Sequence, residues 1–415
     1  MARTVAALPA GTRLTDYISL GVVAKTFPVD VIHRVLAETG TASVRQRDLP
    51  AHVVIYYVIA LALYMQASYR EVLRCLFEGL QWMAGGGARV TITGKSGISQ
   101  ARTRLGAAPL QQLYEALVRP LAVPQTHGAW YRQWRLVTLD GTTLDVADTA
   151  ANEAAFGRPG ASRGASAFPQ LRLVALVENG TRVLIGAALD GYPVGETTLA
   201  RRVWPALTPQ MLCLADRTYF GWQAWTQAHA TGADLLWRVK KNLQLPVQRV
   251  HPDGSYASVI YPSLRDRRHQ TRGVPVRVID YQLEGVADAE PLYRLVTTLL
   301  DPDQAPAPEL AALYQERWAI ETALAELKTH LRGARIVLRS KTPDLVRQEC
   351  YGLLLAHFAV RGLMHDAALH ADIDPDRLSF VHAVRVVRRK LAQVGASPPS
   401  GDGGPPSHRP GGTAG

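Results

Sequence analysis

Apolar and polar positions change their period along the chain. Up to about residue 125 they recur at helical spacing. Val31–Glu38 reads as a short helix with Asp30 as its N-cap, and Asp48 precedes an unbroken apolar run from Val53 to Met65. That run of 13 residues is too short to span a bilayer and fits a buried helix. Gln66-Ala67-Ser68 interrupts it, and Tyr69-Arg70-Glu71-Val72-Leu73 resumes helical spacing until the loop at Gly85-Gly86-Gly87. Helices at about 97–105 and 109–122 complete the stretch.

From about residue 134 the period shortens. Arg135–Leu139 is a β-prone run ending on Asp140, and Leu171–Val177 and Val183–Ala187 flank Asn179-Gly180 as a hairpin. A helix at 196–206, an apolar run Met211–Ala215 ending on Asp216, a helix at 221–230 and a strand at 234–239 follow. Three consecutive strands followed by alternating helices and strands is the order of a ribonuclease-H-like α/β core. Residues 243–300 read as short strands and turns, with strands at Val274–Leu283 and Leu292–Leu300. Helical spacing returns at 309–331, 343–370 and 377–394, and a Gly/Pro/Ser-rich tail from Gly395 is expected to be disordered.

The expected organisation is therefore α/β. A helical N-terminal DNA-binding domain (1–125) leads into the first part of the core (130–242) and a β-rich insertion (243–300). The last part of the core (301–342), a helical C-terminal region (343–394) and the tail (395–415) complete it.

Composition narrows the function. The 415 residues carry 46 Lys+Arg against 35 Asp+Glu, a net charge of +11 that favours a polyanionic partner, with nucleic acid ahead of a membrane surface. Basic side chains at Lys95, Arg102 and Arg104, and the groups Arg238-Val239-Lys240-Lys241, Arg265-Asp266-Arg267-Arg268 and Arg385–Lys390, suit phosphate contacts or an ordinary solvated face. Cys75, Cys213 and Cys350 lie far apart without a CxxC pair, which argues against a disulfide framework or structural zinc. His251, His269, His330 and His357 share no metal-ligand spacing and read as surface or core residues. With no apolar signal segment at Met1 onward, the expectation is a cytoplasmic, nucleoid-associated protein.

The candidate chemistry lies in carboxylates. Asp140 and Asp216 each close an apolar run, and strand ends are where side chains leave an α/β core toward a site. Such aspartates also serve as turn or cap residues. At about 100° per residue, Tyr314, Arg317, Glu321 and Lys328 fall on one helical stripe about 60° wide, beside the apolar stripe of Leu313, Ile320, Leu324, Leu327 and Leu331. Glu316 and Glu326 point about 140° to either side of Glu321, so Glu321 is the geometric choice. The stripe also allows an ordinary i,i+4 Arg–Glu pair.

YQERWAIETALAELK, a Tyr-x2-Arg-x3-Glu-x6-Lys pattern, resembles the signature of insertion-sequence transposases of the insertion-sequence-four family. LDGTTLDVADTAANEAAFG around Asp140, LADRTYFG around Asp216 and SAFPQLRLVAL (166–176) resemble that family too, as do SYREVLRCLFEGL and GISQARTRLG. The resemblance covers roughly residues 14–370 and implies a DDE transposase that cuts at element ends and transfers the strands into target DNA. It implies that Asp140, Asp216 and Glu321 bind two Mg²⁺ ions, with Mn²⁺ able to substitute. It further implies that Tyr314, Arg317 and Lys328 grip phosphates, and that Tyr293 takes the place of a base-stacking tryptophan unless it only packs its strand. The implied partners are double-stranded DNA, as terminal inverted repeats and target, and a second copy in a synaptic homodimer. A nuclease of the same fold that does not join strands, or a non-catalytic DNA-binding derivative, are the competing readings. The intact acidic set counts against the derivative.

Overall fold

The computed structural model describes residues 23–43, 49–74, 76, 95–161, 164–282, 290–333 and 337–389. Cys75, Gly85-Gly86-Gly87 and the tail lie outside the described residues.

Helix α1 (Val29–Glu38) begins two residues earlier than expected, behind Pro28, and Asp30 sits inside its first turn. Its charge there still meets the positive end of the helix dipole. Helix α2 (Ala51–Leu63) is buried at every position but His52, as its uninterrupted apolar run requires. α3 (Lys95–Leu105) and α4 (Ala108–Leu117) follow. α4 stops short of the expected 122, because Pro120 has no N–H to donate and disfavours helix at Arg119 before it.

Strand β1 (Trp134–Asp145) leads to α5 (Ala150–Phe156), the hairpin β2 (Gln170–Glu178) and β3 (Val183–Gly191), and α6 (Glu196–Ala200). β4 (Met211–Ala215), α7 (Trp222–His229) and β5 (Asp234–Val239) complete this part. The β-rich stretch holds β6 (Arg249–Val250), β7 (Tyr256–Ile260), α8 (Leu264–His269), β8 (Val274–Tyr281) and β9 (Tyr293–Thr297). α9 (Ala307–Leu313), α10 (Trp318–Ala325), α11 (Pro343–Ala371) and α12 (Phe380–Arg389) follow.

All nine strands join one sheet in the order β3-β2-β1-β4-β5-β9-β8-β7-β6, with the short strand Trp130–Tyr131 paired onto β1. β1, β4 and β5 are parallel, and β2 and β3 are antiparallel to their neighbours. The β-rich stretch therefore extends the sheet rather than standing apart, since Arg294 to Thr297 of β9 pair antiparallel with Val239 to Leu236 of β5.

Alternation along the strands builds a core on each face. Val137, Leu139, Cys213, Leu235, Trp237, Val276 and Val296 belong to the larger one. Leu136, Leu212, Leu214, Leu236, Ile279 and Leu295 belong to the other, with Leu310 and Tyr314 above them. The 29-residue α11 packs on α2, α3, α4 and β3, so the N- and C-terminal helices form one layer. A side chain at Gly352 would meet Val58 backbone oxygen at 2.8 Å, so glycine is what lets α11 approach α2.

Arg102 departs from the role its position suggested. It is buried, its Nε donates to Gln348 Oε1 (2.8 Å) and its Nη2 to Ser340 Oγ (2.9 Å). It ties α3 to α11 and faces neither phosphate nor solvent. Of the four histidines, His251 and His357 are buried and His269 and His330 exposed. No described helix is long and apolar enough to cross a membrane.

Candidate active site

β1 does not end at Asp140, as the apolar run suggested, but continues to Asp145. What ends there is its parallel partner. The β1–β4 register closes at Leu139 with Ala215, so Asp140 and Asp216 are the next residues on neighbouring parallel strands. Neighbouring strands lie about 4.8 Å apart, which brings the two carboxylates close without any loop between them. Burial pushes the Asp140 carboxyl up, with Glu196 and Asp216 adding to that, against the Gly141 N–H and Arg317.

Gly141 keeps this floor open. A side chain there would lie 3.0 Å from Glu196 Cδ and 3.1 Å from Tyr219 Oη. Burial, Asp140, Glu196 and Asp216 together hold the Tyr219 hydroxyl well above its usual pKa. Glu196 is thus a fourth acid at the site, which the sequence reading treated only as a helix start. Its signal was its place, a few residues beyond the end of β3 at Gly191.

The helix expected over 309–331 is not one helix. Tyr314–Arg317 is a 3₁₀ turn, α10 carries Glu321, and Glu326–Leu331 is a π turn in which Arg332 N donates to Leu327 O at 3.2 Å. Uniform steps of 100° therefore do not describe the stretch. The widening coincides with Glu326, whose carboxylate is buried. It accepts from Arg361 Nε at 2.9 Å and from His357 Nε2 at 3.3 Å, with Arg182 Nη1 at 3.6 Å. Glu326 belongs to the core, and Glu321 faces the cleft.

Arg317 ties the site together. Its Nη2 donates to Glu321 Oε1 at 3.0 Å, and its Nη1 lies 3.6 Å from Asp140 Oδ2. Burial works against its charge, but Tyr314, Asp140, Asp216 and Glu321 outweigh that and raise its pKa. One guanidinium thus feels all three predicted acids. Lys328 Nζ donates to Thr142 Oγ1 at 2.9 Å, and Asp140, Glu321 and Lys328 line one cleft of about 290 Å³. Burial, with Arg332, lowers the Lys328 pKa, against Asp145.

Two predicted residues are otherwise engaged. Tyr314 is buried, and its hydroxyl donates to Ala215 O at 3.2 Å, on the residue before Asp216. Tyr293 stacks on Tyr281 at 5.3 Å, with the Arg238 guanidinium 4.6 Å from its ring centre, and its hydroxyl accepts from Glu290 N. Trp318, which the sequence reading passed over, is 59% exposed beside Arg317.

The donor set suits a hard divalent cation, because all three acids offer oxygen. Among the described residues, no three acidic, His or Cys side chains stand close enough together to hold one. Glu321 is turned to Arg317 instead.

Comparison with known proteins identifies the family. The transposase DDE domain model matches residues 133–359, which contain all three acids, and the insertion element 4 transposase N-terminal model matches 17–115. The chain is 28% identical over 379 residues to the transposase InsG for insertion sequence element IS4 of Escherichia coli K12, across 89% of this chain and 82% of that protein. It is 25% identical over 215 residues to the putative transposase InsZ of the same strain, across 52% of this chain and 69% of that protein. A piggyBac transposase synaptic complex with hairpin DNA aligns with a TM-score of 0.49 at 10% identity, across 94% of this chain and 84% of that one. With a domain match over more than half the length and an N-terminal match before it, the chain belongs to the DDE transposases of the insertion-element-4 family.

Proposed function

We propose that Asp140, Asp216 and Glu321 hold two divalent metal ions, Mg²⁺ or Mn²⁺, in a ribonuclease-H-like core that cuts element ends and joins them to target DNA. The observation that carries this is the placement of Asp140 and Asp216 one residue past the last parallel register pair, with Arg317 linking Asp140 to Glu321. The strand order 3-2-1-4-5 at this end of the sheet supports the core assignment. Bound metals would activate the attacking oxygen and stabilise the leaving oxygen at phosphorus.

The chain's own groups supply the rest. Arg317 and Lys328 flank the acids and offer a planar fork and a point charge to the phosphates of the element end. Glu321 becomes free to bind metal when Arg317 turns to phosphate. Tyr314 holds the strand end that carries Asp216, and so acts as a positioning residue. Trp318 offers an open indole face to a base, and Tyr293 could do so only by releasing Arg238. The working form is a homodimer that pairs two terminal repeats in the cytoplasm, at the nucleoid.

Asp140→Ala, Asp216→Ala and Glu321→Ala are each expected to abolish Mg²⁺-dependent cleavage of the flanking inverted repeats while leaving repeat binding intact. Cleavage retained in any of them rejects the metal assignment. Cleaved ends that never join target DNA would favour the nuclease reading.

A further inference from the structure

A cavity lies outside the acidic cleft. It is a groove of about 580 Å³ between the start of α7, the segment after β5 and the end of β7. Phe220, Trp222 and Tyr261 supply aromatic walls, and Arg217, Lys240 and Arg267 are its cations. Among the described residues, no carboxylate lines it. Arg217 pairs with Glu290 at 3.1 Å, whereas Lys240 and Arg267 have no ion-pair partner among the described residues. Its residue nearest the acids in the chain is Arg217, which directly follows Asp216.

The groove meets the place of Tyr293 only at its rim, where Arg217 pairs with Glu290, whose N–H bonds the Tyr293 hydroxyl. Phe220, Trp222, Leu243 and Leu245 pack against the larger core, whereas Tyr281, on which Tyr293 stacks, packs against the core of the opposite sheet face. The two lie on opposite sides of one sheet.

We propose that this groove binds unpaired DNA, one or two nucleotides of a single strand that runs on from the acidic site past Arg217. A duplex presents phosphates outward and keeps its bases stacked, so it would leave aromatic walls unused. Single strands offer both a charged backbone and open base faces, and sites for them combine a basic groove with aromatic platforms. An aliphatic peptide could use the walls, but not the three cations. The proposal rests on the transposase reading for the identity of the strand.

The test is fluorescence anisotropy of the full chain with a labelled oligothymidylate, over a salt series without metal. Lys240 is exposed and Arg267 half-buried at the rim, so K240E/R267E should keep its melting temperature. It should bind the oligonucleotide at least tenfold more weakly, with a salt slope flatter by about 1.4, from two contacts at about 0.7 each. Trp222→Ala should weaken it by roughly 5- to 150-fold. Both should lose much less affinity for a duplex element end than for the single strand.

Unchanged oligothymidylate binding in K240E/R267E overturns the proposal. So does an equal loss for duplex and single strand, or binding of oligouridylate tenfold tighter than DNA. A parent chain that ignores element ends would count against the transposase reading alone, since single-strand binding is measured separately.

Discussion

Glutamates five residues apart on the same stretch should fail in opposite ways. Glu326 is 3% exposed and Arg361 1%, and the pair is bidentate, with His357 and Arg182 also on the carboxylate. Glu326→Gln keeps the volume but removes the charge, and its amide N–H groups would face the donors of Arg361. Leaving a buried charge without its partner costs about 3–5 kcal/mol. At about 2–4 °C per kcal/mol for a core of 150–250 residues, the melting temperature should fall by roughly 6–20 °C. Glu321 has a side chain 40% exposed in an i,i+4 pair with Arg317, where about 0.3–0.5 kcal/mol is at stake. Glu321→Gln should therefore melt within about 2 °C of the parent and yet lose cleavage.

The pH dependence supplies a second reading of the same pair. Burial pushes Glu326 up, but His357 and Arg361 hold it below its ordinary 4.5, so its stabilisation is complete above that value and lost as pH falls through the folded pKa. Burial pushes His357 below its ordinary 6.5, against Glu326, so a neutral His357 also stabilises only toward higher pH. The parent should lose stability on acidification below about 6.5, and its advantage over Glu326→Gln should persist down to about pH 4.5 and fall away below it. Differential scanning fluorimetry across pH, beside a gel assay of end cleavage, measures both. Equal destabilisation by the two variants, or a folded Glu326→Gln that loses cleavage while Glu321→Gln keeps it, would refute the division of roles.

Arg317→Ala should bind Mn²⁺ at least tenfold more tightly without DNA, read by electron paramagnetic resonance, because the guanidinium no longer competes for Glu321 and Asp140. The same variant should bind element ends more weakly, and unchanged or weaker Mn²⁺ binding would rule out the competition. Gly141→Ala should force apart Glu196 and Tyr219, costing about 1–3 kcal/mol. Its cleavage rate should fall more than tenfold with end binding intact, and a normal rate would show that the floor tolerates a methyl group.

Much of the site was legible because burial writes itself into sequence. The apolar runs before Asp140 and Asp216 are buried parallel strands, and the pattern in Val53–Met65 is that of a helix enclosed on all sides. The breaks around α10 were not legible. They coincide with contacts to distant residues, Tyr314 to Ala215 and Glu326 to Arg361, that no local pattern encodes. The joining of the β-rich stretch to the sheet was hidden for the same reason, since Val239 pairs with Arg294. Arg102 looked like a surface cation because its partner Gln348 lies 246 positions away. Glu196 read only as the start of a helix because Gly141, which admits it, is remote in the chain.

The π turn at Glu326–Leu331 makes the interval from Glu321 to Lys328 a chord across two helical geometries. A π turn accommodates one more residue than an α turn over the same length of axis. Deleting one residue between 326 and 331 would thus be absorbed by relaxation to α-helix, without shortening the rod. The damage would appear as rotation. Residues on either side of the π turn would keep their bearings, and only side chains within it, Lys328 among them, would shift round the axis. Spacing in this motif is therefore an angular quantity, and a deletion here disturbs the cleft while leaving the core in register.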